Sequence, residues 1–80
     1  MEIKVLGPGC PNCQRLVKLT FNALAEMDLA ANVEKVTDFK EIAKFVMSTP
    51  GLVIDGKVVS QGRVPSQEEI KRLIKAAQNP

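Results

Sequence analysis

Gly7-Pro8-Gly9-Cys10-Pro11-Asn12-Cys13 comes directly after the segment Glu2-Ile3-Lys4-Val5-Leu6. The apolar residues of the earlier segment predict a short strand over residues 2–6, and the Gly-Pro-Gly run predicts a loop. A helix is predicted to begin at Cys10, because Pro11 suits the first helical position, where its missing N–H costs no hydrogen bond. The sequence therefore predicts a strand, a tight loop and a helix with one cysteine at its tip and the other one turn further along.

The first helix has an apolar stripe that includes its second cysteine. We expect this helix to end at about Leu29 or Ala30. The residues within about 80° of Cys13 around the helix are Leu16, Val17, Thr20, Phe21, Leu24 and Met27. Cys13 is therefore predicted to face the core, and Cys10 to be free for exposure at the tip.

The two cysteines are spaced for redox chemistry. Residues three apart on a helix have Cα atoms roughly 5–6 Å apart, which is within the range of a disulfide. Free N–H groups and the positive end of the helix dipole favour the thiolate of Cys10, and the thiolate is the attacking species. Burial disfavours the charged form of Cys13. We predict that Cys10 attacks a target disulfide and that Cys13 resolves the mixed disulfide.

A second strand and a second helix are predicted next along the chain. Residues 32–37 read as the strand, and Asp38 with Glu41 forms a capping box for the helix. Ser48-Thr49-Pro50-Gly51 ends this helix. Its apolar positions are Phe39, Ile42, Phe45 and Val46.

A hairpin and a third helix complete the chain. Residues 52–54 and 57–60 flank Asp55-Gly56, a pair that suits a type I′ turn. Ser66 and Glu69 form the capping box of the last helix, which runs to about Ala77. Its buried face is predicted to contain Ile70, Leu73, Ile74 and Ala77. The element order is β-α-β-α-β-β-α within one α/β domain, residues 1–80, and its first two strands should be parallel.

Composition excludes several classes of function. A net charge of +2 with dispersed basic residues argues against nucleic-acid binding. No apolar run is long enough for a membrane span and no signal peptide is visible, so we expect a cytoplasmic protein. The absence of histidine rules out Cys–His nucleophile pairs and mixed Cys/His zinc sites. Two closely spaced cysteines cannot form a structural disulfide framework, so their value is chemical.

The pairing of Cys10-Pro11-Asn12-Cys13 after the first strand with Thr49-Pro50 before the third resembles the thioredoxin-like superfamily, in particular its small thioredoxin/glutaredoxin-like (redox-active disulfide) proteins. The resemblance implies a central four-stranded mixed sheet flanked by three helices. It implies a protein-disulfide reductase with Cys10 as the nucleophile and Cys13 as the resolving thiol. It also implies a cis bond before Pro50, and a Thr49 backbone that pairs with the substrate chain.

The same resemblance implies further properties of the site. Pro11 and Asn12 would contact the substrate, and no cofactor or metal would be required. We expect a monomer that is reduced by a flavin-dependent electron donor similar to thioredoxin reductase.

Two departures from larger relatives affect the predicted mechanism. Lys4 falls where larger thioredoxins carry a buried acid, so the usual proton carrier for Cys13 is missing. Lys4 is either a replacement, if desolvation lowers its pKa, or a solvated strand lysine. Asn12 between the cysteines and the Gly62-Arg63-Val64-Pro65 stretch differ from glutathione-using glutaredoxins, so we expect protein disulfides as substrates.

A soft-metal module is the main alternative. Such domains also place Cys-x-x-Cys between a first strand and helix and hold Cu(I) with two thiolates. They usually run β-α-β-β-α-β and end on a strand, whereas this sequence ends on a capped helix and has Pro11 after the first cysteine. A zinc site would need two further thiolates from another chain. A redox-inactive interaction domain is a third possibility, against which the intact cysteine pair argues.

Overall fold

Four strands and three helices follow one another in the predicted order in a computed structural model that describes residues 1–78. They are β1 (Glu2–Leu6), α1 (Pro11–Glu26), β2 (Asn32–Val36), α2 (Phe39–Ala43), β3 (Gly51–Ile54), β4 (Lys57–Gln61) and α3 (Gln67–Gln78). The predicted domain, residues 1–80, includes Asn79 and Pro80, which lie outside the described residues. Among the described helices, none has the length and apolar character needed to cross a membrane.

The strands form one mixed sheet in the order β2-β1-β3-β4. β1 and β2 are parallel, with Val5 opposite Lys35. β3 is antiparallel to β1, and its Gly51 lies opposite Leu6. The α/β class and the four-stranded mixed sheet are confirmed. β1 is a central strand, and it leads into residues 7–10 at one end of the sheet, which we call the cysteine loop.

α1 and α3 cover one side of the sheet, which we call the two-helix face. Alternation along β1 directs Ile3 and Val5 to this side. The core here contains nine buried residues: Ile3, Val5, Leu16, Ala23, Leu24, Leu52, Ile54, Ile70 and Ile74. Ion pairs of the Lys71 ammonium with Glu26 of α1, at 3.4 Å, and with Glu68 of α3, at 3.0 Å, lie outside this core.

α2 alone covers the opposite side, which we call the one-helix face. Its core contains four buried residues: Leu6, Ile42, Val46 and Val53. α2 ends at Ala43 instead of continuing through Val46, and the chain leaves it in a turn in which the Phe45 N–H bonds the Ile42 carbonyl at 3.0 Å. Phe39 is 69% exposed and Met47 99% exposed, so this face is only partly covered.

α1 ends three to four residues before the predicted position. Asp28 has a φ of 52°, and its N–H donates to the Ala25 carbonyl while the Leu29 N–H donates to Leu24. This pattern of bonds closes a helix through a left-handed residue, a position that glycine usually fills. The predicted stripe also included Phe21, which is 52% exposed, whereas Ala23 on the other side of the stripe is fully buried.

The predicted hairpin turn is confirmed. Asp55 and Gly56 have φ values of 50° and 82°, the two positive angles that a type I′ turn requires. The Asp55 N–H donates to the Glu2 carbonyl at 2.7 Å, and the Asp55 carboxylate accepts from the Glu2 N–H at 2.8 Å. Asp55 thereby joins the hairpin to the first residue of β1, at the end of the sheet opposite the cysteine loop.

Candidate active site

The cysteine loop begins where β1 ends. The Gly7 N–H donates to the Val36 carbonyl at 2.9 Å, which extends the β1–β2 pairing by one bond. Gly9 then turns the chain with a φ of 96°. Cys10 is the N-cap residue, with extended backbone angles, and Pro11 is the first residue of α1. The strand, loop and helix predicted around the cysteines are therefore confirmed.

Cys10 is the exposed member of the pair. Its side chain is partly accessible, and both cysteines are free thiols in this structure. The pKa of the Cys10 thiol lies below its ordinary value, first because the Cys13 thiol donates a hydrogen bond to it, and then because the backbone N–H groups of Cys13 and Asn12 point at it. At a given pH, Cys10 is therefore more nearly a thiolate than an ordinary cysteine is.

Cys13 is the enclosed member, with 4% of its surface exposed. Burial raises the pKa of its thiol, and the hydrogen bond that it gives to Cys10 raises the pKa further. Gly7 lies directly against the thiol, since a Cβ at this position would be 2.2 Å from the Cys13 Sγ. The glycine therefore makes the space that the buried sulfur occupies.

A cavity of about 220 Å³ lies beside Cys13 on the two-helix face. Its lining is Val5, Gly7, Gly9, Cys13, Gln14, Val17, Lys35 and Thr37. Lys35 is the only charged residue of this lining, and it faces the cavity because β2 places it beside Val5. We did not predict Lys35 from the sequence. Its position depends on the register of two parallel strands, which could be found only by aligning the ends of β1 and β2.

Lys4, the sequence-based candidate for proton transfer, lies elsewhere. Its ammonium is 5.2 Å from the centroid of the Phe45 ring, and Phe45 is partly buried against the core of the one-helix face. Alternation along β1 puts Lys4 on the opposite side of the sheet from Val5 and the Cys13 cavity. The structure therefore does not bring Lys4 and Cys13 together.

Thr49 and Pro50 lie at the cysteine end of the sheet. The bond between them is cis, as the resemblance implied. Pro50 is buried and Thr49 exposed, and because Gly51 pairs with Leu6, they come next to the start of the cysteine loop. The other predicted substrate-binding residues, Pro11 and Asn12, are also exposed.

The loop after β4 packs against this same edge. The Gly62 N–H donates to the Pro50 carbonyl at 3.0 Å. Arg63 next to it forms an ion pair with Glu69 in the first turn of α3. Hydrogen bonding to Arg63 holds the pKa of the Glu69 carboxyl below its ordinary value. The loop after β4 is thus tied to α3.

Across residues 1–78 there is no group of three or more Cys, Asp or Glu residues that could hold a metal ion. The described residues place two unequal thiols one helical turn apart at this site.

Most of this chain is similar in sequence to thioredoxins. Residues 1–75 match the family described as "Thioredoxin domain". A thioredoxin of Methanocaldococcus jannaschii is 40% identical over 74 residues, which cover 92% of this chain and 86% of that protein. A thioredoxin of Methanothermobacter thermautotrophicus is 39% identical over 75 residues, covering 92% of this chain and 97% of the relative.

Proposed function

This chain belongs to the thioredoxin domain family of thiol–disulfide oxidoreductases, and we propose that it reduces disulfide bonds of other proteins through Cys10 and Cys13. The observation that carries the proposal is the inequality of the two thiols. Cys10 is accessible with a lowered pKa, and Cys13 is buried with a raised one. An attacking thiol needs the first set of properties, and a thiol held in reserve needs the second.

The proposed reaction has two exchange steps. The Cys10 thiolate attacks one sulfur of the target disulfide, forming a mixed disulfide and releasing the first target thiolate. Cys13 then loses its proton and attacks the Cys10 sulfur, so that the Cys10–Cys13 disulfide forms and the second target thiolate leaves. The two departing thiolates take up protons, and two electrons have passed from the protein to the target.

The substrate chain is proposed to lie along the edge formed by Thr49 and Pro50. Thr49 is exposed beside the cysteine loop, because Pro50 next to it is buried and Gly51 pairs with the last residue of β1. Pro11 and Asn12 would contact the target next to the attacked sulfur. As expected from the resemblance to thioredoxin-like proteins, we also propose a flavin-dependent reductase as the electron donor, a monomeric state and a cytoplasmic location.

Paired serine variants test this proposal. Cys10→Ser and Cys13→Ser should each abolish reduction of a protein disulfide such as insulin. Cys13→Ser alone should accumulate a covalent adduct with a target protein, visible by mass and released by dithiothreitol, because the first step proceeds and the second cannot. An adduct formed by Cys10→Ser and not by Cys13→Ser would overturn the assignment.

A further inference from the structure

We propose that Gln14 is a positioning residue for thiol exchange, which holds the peptide unit between Gly9 and Cys10 so that its N–H faces the two sulfurs. The inference rests on the proposed function and deepens it, since it concerns how the backbone of the cysteine loop favours the exchange steps. Gln14 directly follows Cys13 in α1.

The first support is a pair of hydrogen bonds that Gln14 makes on either side of Cys10. Its side-chain amide donates to the Gly9 carbonyl at 3.2 Å, and its backbone N–H donates to the Cys10 carbonyl at 3.0 Å. Both peptide units that flank Cys10 are thereby attached to the same residue of the helix. The backbone bond does not depend on the side chain, so the bond to Gly9 is the one that requires glutamine.

The second support is that Gly9 has few other restraints. Its φ of 96° lies in a region that glycine enters freely, and a Cβ built there would meet no atom of a more distant residue within 4 Å. Within residues 1–78, the Gly9 carbonyl accepts a hydrogen bond only from Gln14. Because neither packing nor the strand pairing fixes this peptide unit, the Gln14 amide is the group that does.

The third support is the direction of the N–H on the same peptide unit. The Gly9 carbonyl and the Cys10 N–H belong to one planar group, so holding the first orients the second. Burial and the hydrogen bond given to Cys10 raise the pKa of the Cys13 thiol, whereas the N–H groups of Cys10 and Gly9 point at its sulfur and lower the pKa. The pKa of Cys10 is lowered first by the Cys13 thiol, and its own N–H adds to this. Gln14 therefore acts through the loop backbone, and more on Cys13 than on Cys10.

This effect involves no change of charge. The ionisable residues of α1 and β2 nearest to Cys13 are Cys10, Arg15, Lys18 and Lys35, of which the last three are exposed, and from β1 the cavity is lined by uncharged Val5. Glutamine and methionine are both uncharged and have similar helix propensities. Since Gln14 is exposed, Gln14→Met should remove the donor while leaving the core and these charges in place.

The resolving step needs no further reactant. In the mixed disulfide, Cys13 gives its proton to water and its sulfur forms a bond to the Cys10 sulfur. The bond from Cys10 to the target sulfur breaks, and the departing target thiolate takes up a proton. The oriented N–H groups of the loop favour the Cys13 thiolate before it attacks, because hydrogen bonding to a charged form stabilises it.

The hydrogen bond itself can be tested by nuclear magnetic resonance. In Gln14→Met, the carbonyl carbon resonance of Gly9 should shift and the Cys10 amide should exchange faster with solvent, because the peptide unit is no longer held. Asn22→Met, a matched change at an exposed position further along α1, should have neither effect. An unshifted Gly9 resonance in Gln14→Met would overturn the proposal.

A titration of Cys13 distinguishes positioning from a purely structural role. In a Cys10→Ser background, the ultraviolet absorbance of the thiolate reports the ionisation of Cys13 alone. Adding Gln14→Met should raise its midpoint by about 0.5 pH unit, a part of the effect of one hydrogen bond. Asn22→Met should leave the midpoint where it was. A shifted Gly9 resonance with an unchanged midpoint would mean that Gln14 only shapes the loop, and the proposal would be wrong.

A single-turnover measurement tests the step in the otherwise unmodified chain. With dithiobis-nitrobenzoate in excess, Cys10 releases one coloured thiolate, and Cys13 releases the second in a phase independent of reagent concentration. Gln14→Met should slow the second phase about twofold at neutral pH, because an about threefold loss of thiolate is partly offset by the greater nucleophilicity of a more basic thiolate. A second phase as fast as in the unsubstituted chain would refute the role of Gln14.

None of these measurements uses a protein target. Failure of the chain to reduce protein disulfides would therefore count against the proposed function, while a raised Cys13 midpoint and a slowed second phase would still support the role of Gln14.

Discussion

The two faces of the sheet are covered to different depths. On the two-helix face, α1 with 16 residues and α3 with 12 enclose nine buried core residues. On the one-helix face, five-residue α2 encloses four and leaves Phe39 and Met47 in solvent. Cys13 is held on the first face, and Thr49 borders the groove beside α2 on the second.

This division separates two requirements of a thiol-exchange protein. The resolving sulfur must be kept from solvent and at a fixed distance from Cys10, which a densely packed face provides. A substrate edge must accept chains of differing sequence, and a thinly covered face can adjust to them. The comparison therefore predicts that changes on the two-helix face have the larger effects.

The largest expected effect is the difference in reactivity of the two cysteines. In the reduced, folded chain at neutral pH, iodoacetamide should modify Cys10 about a hundredfold faster than Cys13, because the latter is buried and less ionised. Since the pKa of Cys10 is lowered, its rate should rise with pH and level off below the ordinary pKa of a thiol. Mass spectrometry of peptides measures both rates, and denaturant provides the control by making them similar. Equal rates in the folded chain would refute the protection of Cys13 by this face.

Cavity-forming substitutions compare the two cores directly. Leu16→Ala, at a fully buried position on the core-facing side of α1, should lower the free energy of unfolding by about 3 kcal/mol. Ile42→Ala, at a 4% exposed position in α2, should cost about 2 kcal/mol, the lower end of the usual range, because a short helix with exposed neighbours can collapse into the space. Urea denaturation measures both values. A larger loss for Ile42→Ala would reverse the comparison.

Two buried glycines provide a matched pair of steric tests. A Cβ at Gly7 would lie 2.2 Å from the Cys13 Sγ, and one at Gly51 would lie 3.0 Å from Val46 Cγ1. Gly7→Ala should cost about 2–3 kcal/mol, because the packed helix cannot move away from it, and it should also slow thiol exchange. Gly51→Ala should cost about 1 kcal/mol, because Val46 belongs to the thinly covered one-helix face, where side chains can shift to make room for the added methyl group. Equal losses of stability would show that the two faces resist overpacking to the same degree.

The parts of the fold that could be predicted from sequence are those with local signals. Glycine and proline around the cysteines indicated the loop and the helix start, and Asp55-Gly56 indicated the turn that the structure confirms. The end of α1 was wrong because an aspartate, Asp28, takes the left-handed position that glycine normally marks. A single residue of this type carries no clear stop signal.

Features that depend on contacts between distant parts of the chain were harder to predict from the sequence. The cis bond before Pro50 was expected from the family resemblance, since an isolated Thr-Pro pair favours the trans form. Lys35 was overlooked because its place in the lining of the Cys13 cavity follows from strand register and not from any motif. Phe39 was counted among the apolar positions of α2, yet the short helix leaves it exposed.

The smallest expected effects come from the helix caps. The Ser66 Oγ accepts the Glu69 N–H at 3.2 Å at the start of α3, and the Asp38 carboxylate accepts the Lys40 N–H at 2.9 Å at the start of α2. Ser66→Ala should lower global stability by about 1 kcal/mol, because α3 unfolds only with the whole core, and Ser66→Thr should restore most of it. Asp38→Ala should cost about 0.5 kcal/mol globally, because α2 can fray without exposing the two-helix core, but it should accelerate amide hydrogen exchange at Ile42. If Asp38→Ala instead lowered global stability more than Ser66→Ala, α2 would be as firmly coupled to the fold as α3, and the distinction between the two faces would fail.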